Sequence, residues 1–260
     1  TARDHSLITA AAGGLSFSFA SGQQGSSTAL AAGVAAALNI IDGGARAGVS
    51  NAGLTWADGA AGDLTVQADS AQKIGAYTLA AAVAGAIGSQ GSGVAGAGAG
   101  SGSVNLIDAS TEATVRNSTV DTGMGSISVL AADTSEIQVL AGGIAGALGF
   151  SSSGTAAGIA FGAAFAVNIV GEEGTNSVLA EVSGSRVEGG GDVAVDAQSA
   201  ATIYALTLGV AGTASVSGSG AALAGSLAGS FSYNRIRNNT QAKLRDGSTV
   251  DAGGSVSVTA

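Results

Sequence analysis

The sequence predicts an all-β fold: a wide parallel β-solenoid with about one coil per repeat of 63–66 residues, and four coils in the chain. Three observations lead to this prediction. The chain repeats itself four times, its longest segments alternate with period two, and those segments carry no charge. Self-similarity at a fixed period is typical of repeat architectures, in which each unit buries its surface against the next. Residues 1–260 are therefore expected to form a single array.

Two residue types mark the repeats, because in every copy an isoleucine precedes an asparagine by 31 residues. The pairs are Ile8 and Asn39, Ile74 and Asn105, Ile137 and Asn168, and Ile203 and Asn234. Alanines at the joints divide the chain approximately into repeats 2–67, 68–130, 131–196 and 197–260. If equivalent positions lie above one another, the isoleucines are core anchors and the asparagines form an amide ladder along the axis. The alternative is an asparagine that only flanks a turn.

The uncharged interval of each repeat predicts two strands joined by a turn. Residues 8–39, 74–105, 137–168 and 203–234 contain no Asp, Glu, Lys, Arg or His, and a Ser/Gly cluster interrupts each interval near its middle. Small residues occupy every second position after Ile8, whereas Leu15, Phe17 and Phe19 lie between them. Period two predicts strands. The many interior glycines argue against a helix, where each costs roughly 1 kcal/mol.

The two strands of each interval are expected to pack with their bulky faces inward. Where one strand is bulky the other is small, as at Gly96, Gly98, Gly100 and Gly102 of the second repeat, and close-packed layers require such complementarity. The Ala/Gly/Ser faces would then form flat, uncharged outer surfaces. Thr78 and Thr207 would be exposed on them.

The remainder of each repeat is shorter and carries the charge. Residues 45–50, 112–116, 179–183 and 241–245 align as one half-exposed strand, and residues 63–68, 126–131, 192–197 and 255–260 align as another. Length varies only in connections, around Trp56–Gly62 and at Gly171-Glu-Glu-Gly174, which suits loops on a stacked scaffold. Glu172 and Glu173 could bind Ca²⁺ weakly, although a solvated loop is the better interpretation. No other cofactor is expected.

The third repeat contains the segments Ala141-Gly-Gly-Ile-Ala-Gly146, Ala164-Phe-Ala-Val-Asn-Ile169 and Gly191-Asp-Val-Ala-Val-Asp-Ala197. This pattern resembles the repeat of leukotoxin-type filamentous adhesins, which are very large bacterial surface or secreted proteins built from tandem β-solenoid repeats. The resemblance covers all four copies. It implies an extracellular or cell-surface location and no catalytic motif.

The sequence also limits the classes of function. The net charge of −9 disfavours nucleic acid, which requires clustered Lys and Arg. With one histidine, His5, and no cysteine, neither a Ser-His-Asp triad nor a thiolate metal site can be built. The uncharged stretches are short for a spanning helix, so a membrane partner is not expected. No paired catalytic groups are evident, so the chain is not predicted to be an enzyme.

We therefore expect a structural module of a bacterial extracellular fibre or adhesin. The sequence begins and ends at the same position of the repeat, so we also expect it to be a segment of a longer array. Its partners would be neighbouring repeats or copies of itself, meeting through stacked coils and the flat Ala/Gly/Ser faces. The alternatives are a module that binds host matrix or polysaccharide, and a membrane-active toxin segment.

Overall fold

The computed structural model describes residues 1–57, 62–171 and 177–260. Within these ranges the chain contains strands and no helix, which confirms the all-β prediction. The strands of the first two repeats are β1 Ala2–Asp4, β2 Leu7–Gly22, β3 Ser27–Ser50, β4 Gly53–Thr55, β5 Leu64–Ser70, β6 Lys73–Gly88, β7 Gly93–Arg116 and β8 Thr119–Asp121. The third repeat contains β9 Ile127–Asp133, β10 Glu136–Ser151, β11 Ala156–Val170, β12 Ser177–Ser183 and β13 Arg186–Gly189. The remaining strands are β14 Val193–Ser199, β15 Thr202–Ser217, β16 Ala222–Ile236, β17 Asn239–Arg245, β18 Thr249–Ala252 and β19 Val256–Thr259.

These strands form four parallel sheets, and every repeat contributes to each of them. Sheet A has the order β1-β5-β9-β14-β19, and sheet B the order β15-β10-β6-β2. Sheet C contains β3, β7, β11 with β12, and β16 with β17, and sheet D has the order β18-β13-β8-β4. The short strands of sheet D were not predicted, because three or four residues are too few to establish a period.

Neighbouring strands pair at equivalent positions of successive repeats. Ala2 pairs with Ala68, and Ala68 pairs with Ala131, in sheet A. The 24 residues of β3 pair without interruption with the 24 residues of β7. Because a slip of one residue would turn every side chain to the opposite face, this register sets which residues are buried throughout the chain.

Sheets B and C are stacked face to face, and the core between them consists of small side chains. Thirteen buried alanines form this core: Ala29, Ala31, Ala35, Ala80, Ala82, Ala84, Ala86, Ala95, Ala97, Ala99, Ala145, Ala147 and Ala160. Thr78 also lies inside and is 1 % exposed. The bulky residues Leu15, Phe17 and Phe19 lie on the opposite face and are exposed.

The predicted orientation of the two faces is therefore wrong, and so is the idea that the Ala/Gly/Ser faces meet other molecules. The physical reason lies in the uniformity of the small face. Two long sheets can approach closely only if every facing position is equally small. The bulky face mixes Phe and Leu with Gly, so it offers no constant height for a second sheet.

The approach of the two sheets is closest at a row of glycines. A Cβ atom at Gly143 would lie 2.2 Å from the carbonyl oxygen of Ala163, and one at Gly14 would lie 2.2 Å from that of Val34. Backbone thus meets backbone at these positions, and the sheets lie closer than the roughly 10 Å usual for stacked sheets.

A second core lies where sheets A and D meet the charged half of sheet C. Valines dominate it, including Val66, Val129 and Val195 from sheet A and Val115 and Val182 from sheet C. Its side chains are larger than those of the alanine core, and the ion pairs Arg3–Asp69 and Arg116–Glu181 lie on the strands that form it.

Candidate interaction surfaces

The outer face of sheet B is a continuous apolar surface. Its large exposed side chains are Leu15, Phe17, Phe19, Tyr77, Leu79, Ile87, Leu140, Ile144, Leu148, Phe150, Tyr204, Leu206, Leu208, Val210 and Val216. Charges occur only where these strands begin, and there Lys73 Nζ lies 3.1 Å from Glu136 Oε2. The hydrogen bond from Gln138 and the ion pair with Lys73 lower the pKa of Glu136, so its carboxylate stays ionised at neutral pH.

The outer face of sheet C is a second apolar surface on the opposite side of the molecule. Its large exposed side chains are Leu30, Val34, Leu38, Ile40, Val94, Val104, Ile159, Phe161, Phe165, Leu223, Leu227, Phe231 and Tyr233. Tyr233 is 44 % exposed on this face.

Each face is large enough to be an interface. The strands of sheet B have 16 residues each, so four of them cover about 53 Å by about 19 Å, or roughly 1,000 Å². Exposed apolar patches above a few hundred Å² mark contact sites in soluble proteins. The two faces are thus the strongest candidates for function in the described part of the chain.

The face of sheet C carries a depression along β7. The second repeat has only glycine at four successive outward positions, Gly96, Gly98, Gly100 and Gly102, which we call the glycine furrow. A Cβ atom at Gly98 or Gly100 would meet nothing within 4 Å. A cavity of about 510 Å³ opens here, bordered by Val34, Phe161 and Leu227.

The four asparagines form a hydrogen-bonded column inside the fold. Asn39 Nδ2 donates to Asn105 Oδ1 at 2.7 Å, Asn105 Nδ2 to Asn168 Oδ1 at 2.8 Å, and Asn168 Nδ2 to Asn234 Oδ1 at 2.8 Å. Asn105 and Asn168 are fully buried, whereas Asn234 is exposed. The amides join all four repeats and satisfy one another where water is excluded.

The four isoleucines form a neighbouring column. Ile74 and Ile137 are buried to within 1 %, and Ile8 and Ile203 at the two ends are partly buried. They pack with Ile107 and Val170 where sheets B and C meet near the ends of the uncharged intervals. Their larger volume closes the wider end of the thin alanine core.

A buried acid lies at the junction between sheets A and B. Asp133 is 2 % exposed and accepts hydrogen bonds from Ser135 Oγ at 2.5 Å and from Asn238 Nδ2 at 3.0 Å. Burial raises the pKa of Asp133, and the hydrogen bonds from Ser135 and Asn238 offset only part of this effect. In the sequence Asp133 looks like an ordinary loop aspartate, and no signal predicts that it is buried.

A second buried acid joins three repeats. Glu181 is 1 % exposed, and its Oε2 lies 2.8 Å from Arg245 Nε while its Oε1 lies 3.1 Å from Arg116 Nε. The hydrogen bond and the negative charge of Glu181 raise the pKa of Arg245. One carboxylate of the third repeat therefore bridges arginines of the second and the fourth.

We predict that Glu181→Gln lowers the free energy of unfolding by about 1–2 kcal/mol, because an amide cannot accept charge-assisted bonds from two guanidinium groups. The loss is moderate because both arginine side chains are about half-exposed, at 43 % and 52 %. Urea unfolding followed by circular dichroism measures this difference.

Glu112→Gln is the matched control for this prediction. Glu112 pairs with Arg46 at 3.6 Å, and 70 % of the Arg46 side chain is exposed, so we expect a change of about 0.5 kcal/mol or less. Equal losses in the two variants would show that the bridge at Glu181 adds nothing specific.

Asparagine and aspartate occupy the corners between sheets C and D. Asn117 has a φ of 47° at the corner between β7 and β8. Asn51 and Asp246 adopt the same left-handed conformation at equivalent corners, which asparagine and aspartate tolerate well.

Glu172 and Glu173, the weak Ca²⁺ candidates, lie outside the described residues. Among the residues that are described, no group of three or more His, Cys, Asp or Glu side chains could hold a metal ion. A search of the same residues for a helix long and apolar enough to span a membrane found none.

Comparisons with known proteins identified no relative: no protein-family model, curated protein or solved structure matches this chain.

Proposed function

We propose that this chain is a structural repeat module of a bacterial extracellular fibre or filamentous adhesin. In this proposal each repeat is one coil of a wide parallel β-solenoid, and further coils of the same kind continue the stack. The observation that carries the proposal is the register, since all four sheets pair equivalent positions of successive repeats. Such a stack lengthens by adding identical layers.

The outermost strands support this proposal. In β16 nearly every residue is exposed, including the inward alanines that are buried at equivalent positions of β11. An uncovered strand offers unpaired N–H and C=O groups to another chain. Asn234 stands at the same open end and is exposed, so the amide column can extend there.

The two apolar faces support lateral association of such stacks. They carry no charge over the uncharged intervals, so neighbouring stacks can approach without desolvating ions. The binding of host matrix or polysaccharide receives less support. A regular array of outward threonines would favour it, but Thr78 is buried inside the alanine core.

The test is electron microscopy and fibre diffraction of the purified chain at high concentration. We expect fibres whose strands lie perpendicular to the fibre axis, with a meridional reflection near 4.8 Å. Ala224→Lys should abolish them, because it places a charge on the inward side of β16, where only a small residue permits the next coil.

Leu227→Lys is the matched control, since it puts the same charge on the outward side of the same strand. It should separate the fibres laterally without shortening them. Dispersed particles of monomer mass from the unmodified chain at every soluble concentration would contradict the proposal.

A further inference from the structure

We propose that the glycine furrow of sheet C receives an apolar ridge from sheet B of a second copy of this chain, so that copies stack sideways in one direction. The ridge consists of Leu15, Phe17 and Phe19 on β2. This inference rests on the lateral association within the proposed function, and it names the surfaces that meet.

The ridge is a row of large exposed side chains on β2, the edge strand of sheet B. Leu15, Phe17 and Phe19 are 69 %, 61 % and 73 % exposed. The three side chains lie two residues apart on one strand, so they project in a row at intervals of about 6.6 Å.

The furrow matches this row in spacing. Its four glycines also lie two residues apart, and so repeat at the same interval of about 6.6 Å. Leu30 leans over Gly96 at one end and the Phe165 ring leans over Gly102 at the other, which leaves the centre at Gly98 and Gly100 open. The open centre, within a cavity of about 510 Å³, has room for two neighbouring ridge side chains.

The area and the charge of the two faces favour a second copy over other occupants. Each face covers roughly 1,000 Å², and a stable protein interface needs about 800 Å² from each partner. Neither the ridge nor the furrow carries a charge, so two copies can meet here without desolvating an ion.

The contact joins two different faces on opposite sides of the molecule. Such a heterologous contact does not close on itself, and it leaves a free ridge on one side and a free furrow on the other. The result is an open lateral row of copies rather than a dimer.

The absence of cysteine from the chain allows a direct test by disulfide trapping. One population carries Phe17→Cys and the other carries Gly98→Cys with a tag of different mass, and the two are mixed under mild oxidation. We expect the mixed disulfide to exceed either homodimer. Thr65→Cys, which is exposed on sheet A, away from both faces, supplies the background yield.

A second pair of variants tests the furrow itself. Gly98→Leu with Gly100→Leu fills the open centre, and the added side chains meet no neighbour within 4 Å of the new Cβ, so the fold is retained. We expect lateral association, measured by sedimentation velocity, to weaken about tenfold or more, which corresponds to about 1.4 kcal/mol. Gly53→Leu, at an equally open position on β4 of sheet D and away from both faces, should leave it unchanged.

Four outcomes would overturn the inference. A dominant Phe17→Cys homodimer would mean that two sheet B faces meet, and a dominant Gly98→Cys homodimer would mean that two furrows meet. Cosedimentation with neutral phosphatidylcholine vesicles that is lost on filling the furrow, without any mixed disulfide, would assign the furrow to lipid. If fibres form without the mixed disulfide, only this inference is wrong. If the mixed disulfide forms without fibres, only the axial stacking is wrong.

Discussion

Asn105→Asp is expected to destabilise the chain by about 3–5 kcal/mol at neutral pH, the scale of an uncompensated buried charge. Asn105 is 0 % exposed, and its Nδ2 donates to Asn168 Oδ1 at 2.8 Å. A carboxylate at position 105 would place an acceptor oxygen against Asn168 Oδ1, which is itself an acceptor. Water is excluded from the site, so it cannot solvate the charge. Because domains are stable by only about 5–15 kcal/mol, the loss should be evident as a large fall in the urea midpoint.

The pH dependence of the stability of Asn105→Asp distinguishes the effect of the new charge from the effect of the changed side-chain shape. When the introduced carboxyl is protonated at low pH it can donate a hydrogen bond to Asn168, so most of the lost stability should return. Asn234→Asp is the control, because Asn234 is exposed and a carboxylate oxygen there can still accept the hydrogen bond from Asn168 Nδ2. A loss at position 234 as large as that at position 105 would contradict a buried amide column.

Gly143→Val is expected to cost about 3 kcal/mol or more, as overpacking of a tight core does. Gly143 faces sheet C, and any Cβ there would lie 2.2 Å from the carbonyl oxygen of Ala163. Backbone cannot rotate away as a flexible side chain can, so sheets B and C would have to separate along their length. Thermal unfolding together with near-ultraviolet circular dichroism measures the effect.

Gly98→Val serves as the control, since it makes the same change on the outward side of sheet C, where no atom lies within 4 Å of the added Cβ. We expect its stability to equal that of the unmodified chain or to rise slightly, because valine favours strands more than glycine does. If both variants were equally stable, the alanine core would not be the closely packed interior described above.

The two predictions concern different ways in which small residues stabilise one structure. The asparagine column connects repeats along the axis through hydrogen bonds, whereas the glycine and alanine core joins two sheets by close backbone contact. Side chains that are usually buried, such as Phe17 and Leu30, remain outside, and the molecule therefore has two faces suited to contact with other molecules.

The sequence predicted the strand character of the arms and the parallel arrangement of equivalent positions. Period-two alternation is a local property, and fixed spacing between Ile8 and Ile74 or Asn39 and Asn105 directly indicates which positions can be paired. The missed features have no local signature. Glu181 reads as one more charge of a half-exposed strand, and its burial depends on Arg116 and Arg245, which lie more than 60 residues away.

The orientation of the faces shows the limit most clearly. By itself the sequence determined that each arm has a bulky side and a small side, because alternation along a strand divides the residues between two faces. Only the tertiary structure decided which side is interior. Hydrophobicity favours burying Phe and Leu, but two sheets that run alongside each other over about 16 residues need an interior of constant depth, and alanine and glycine supply it.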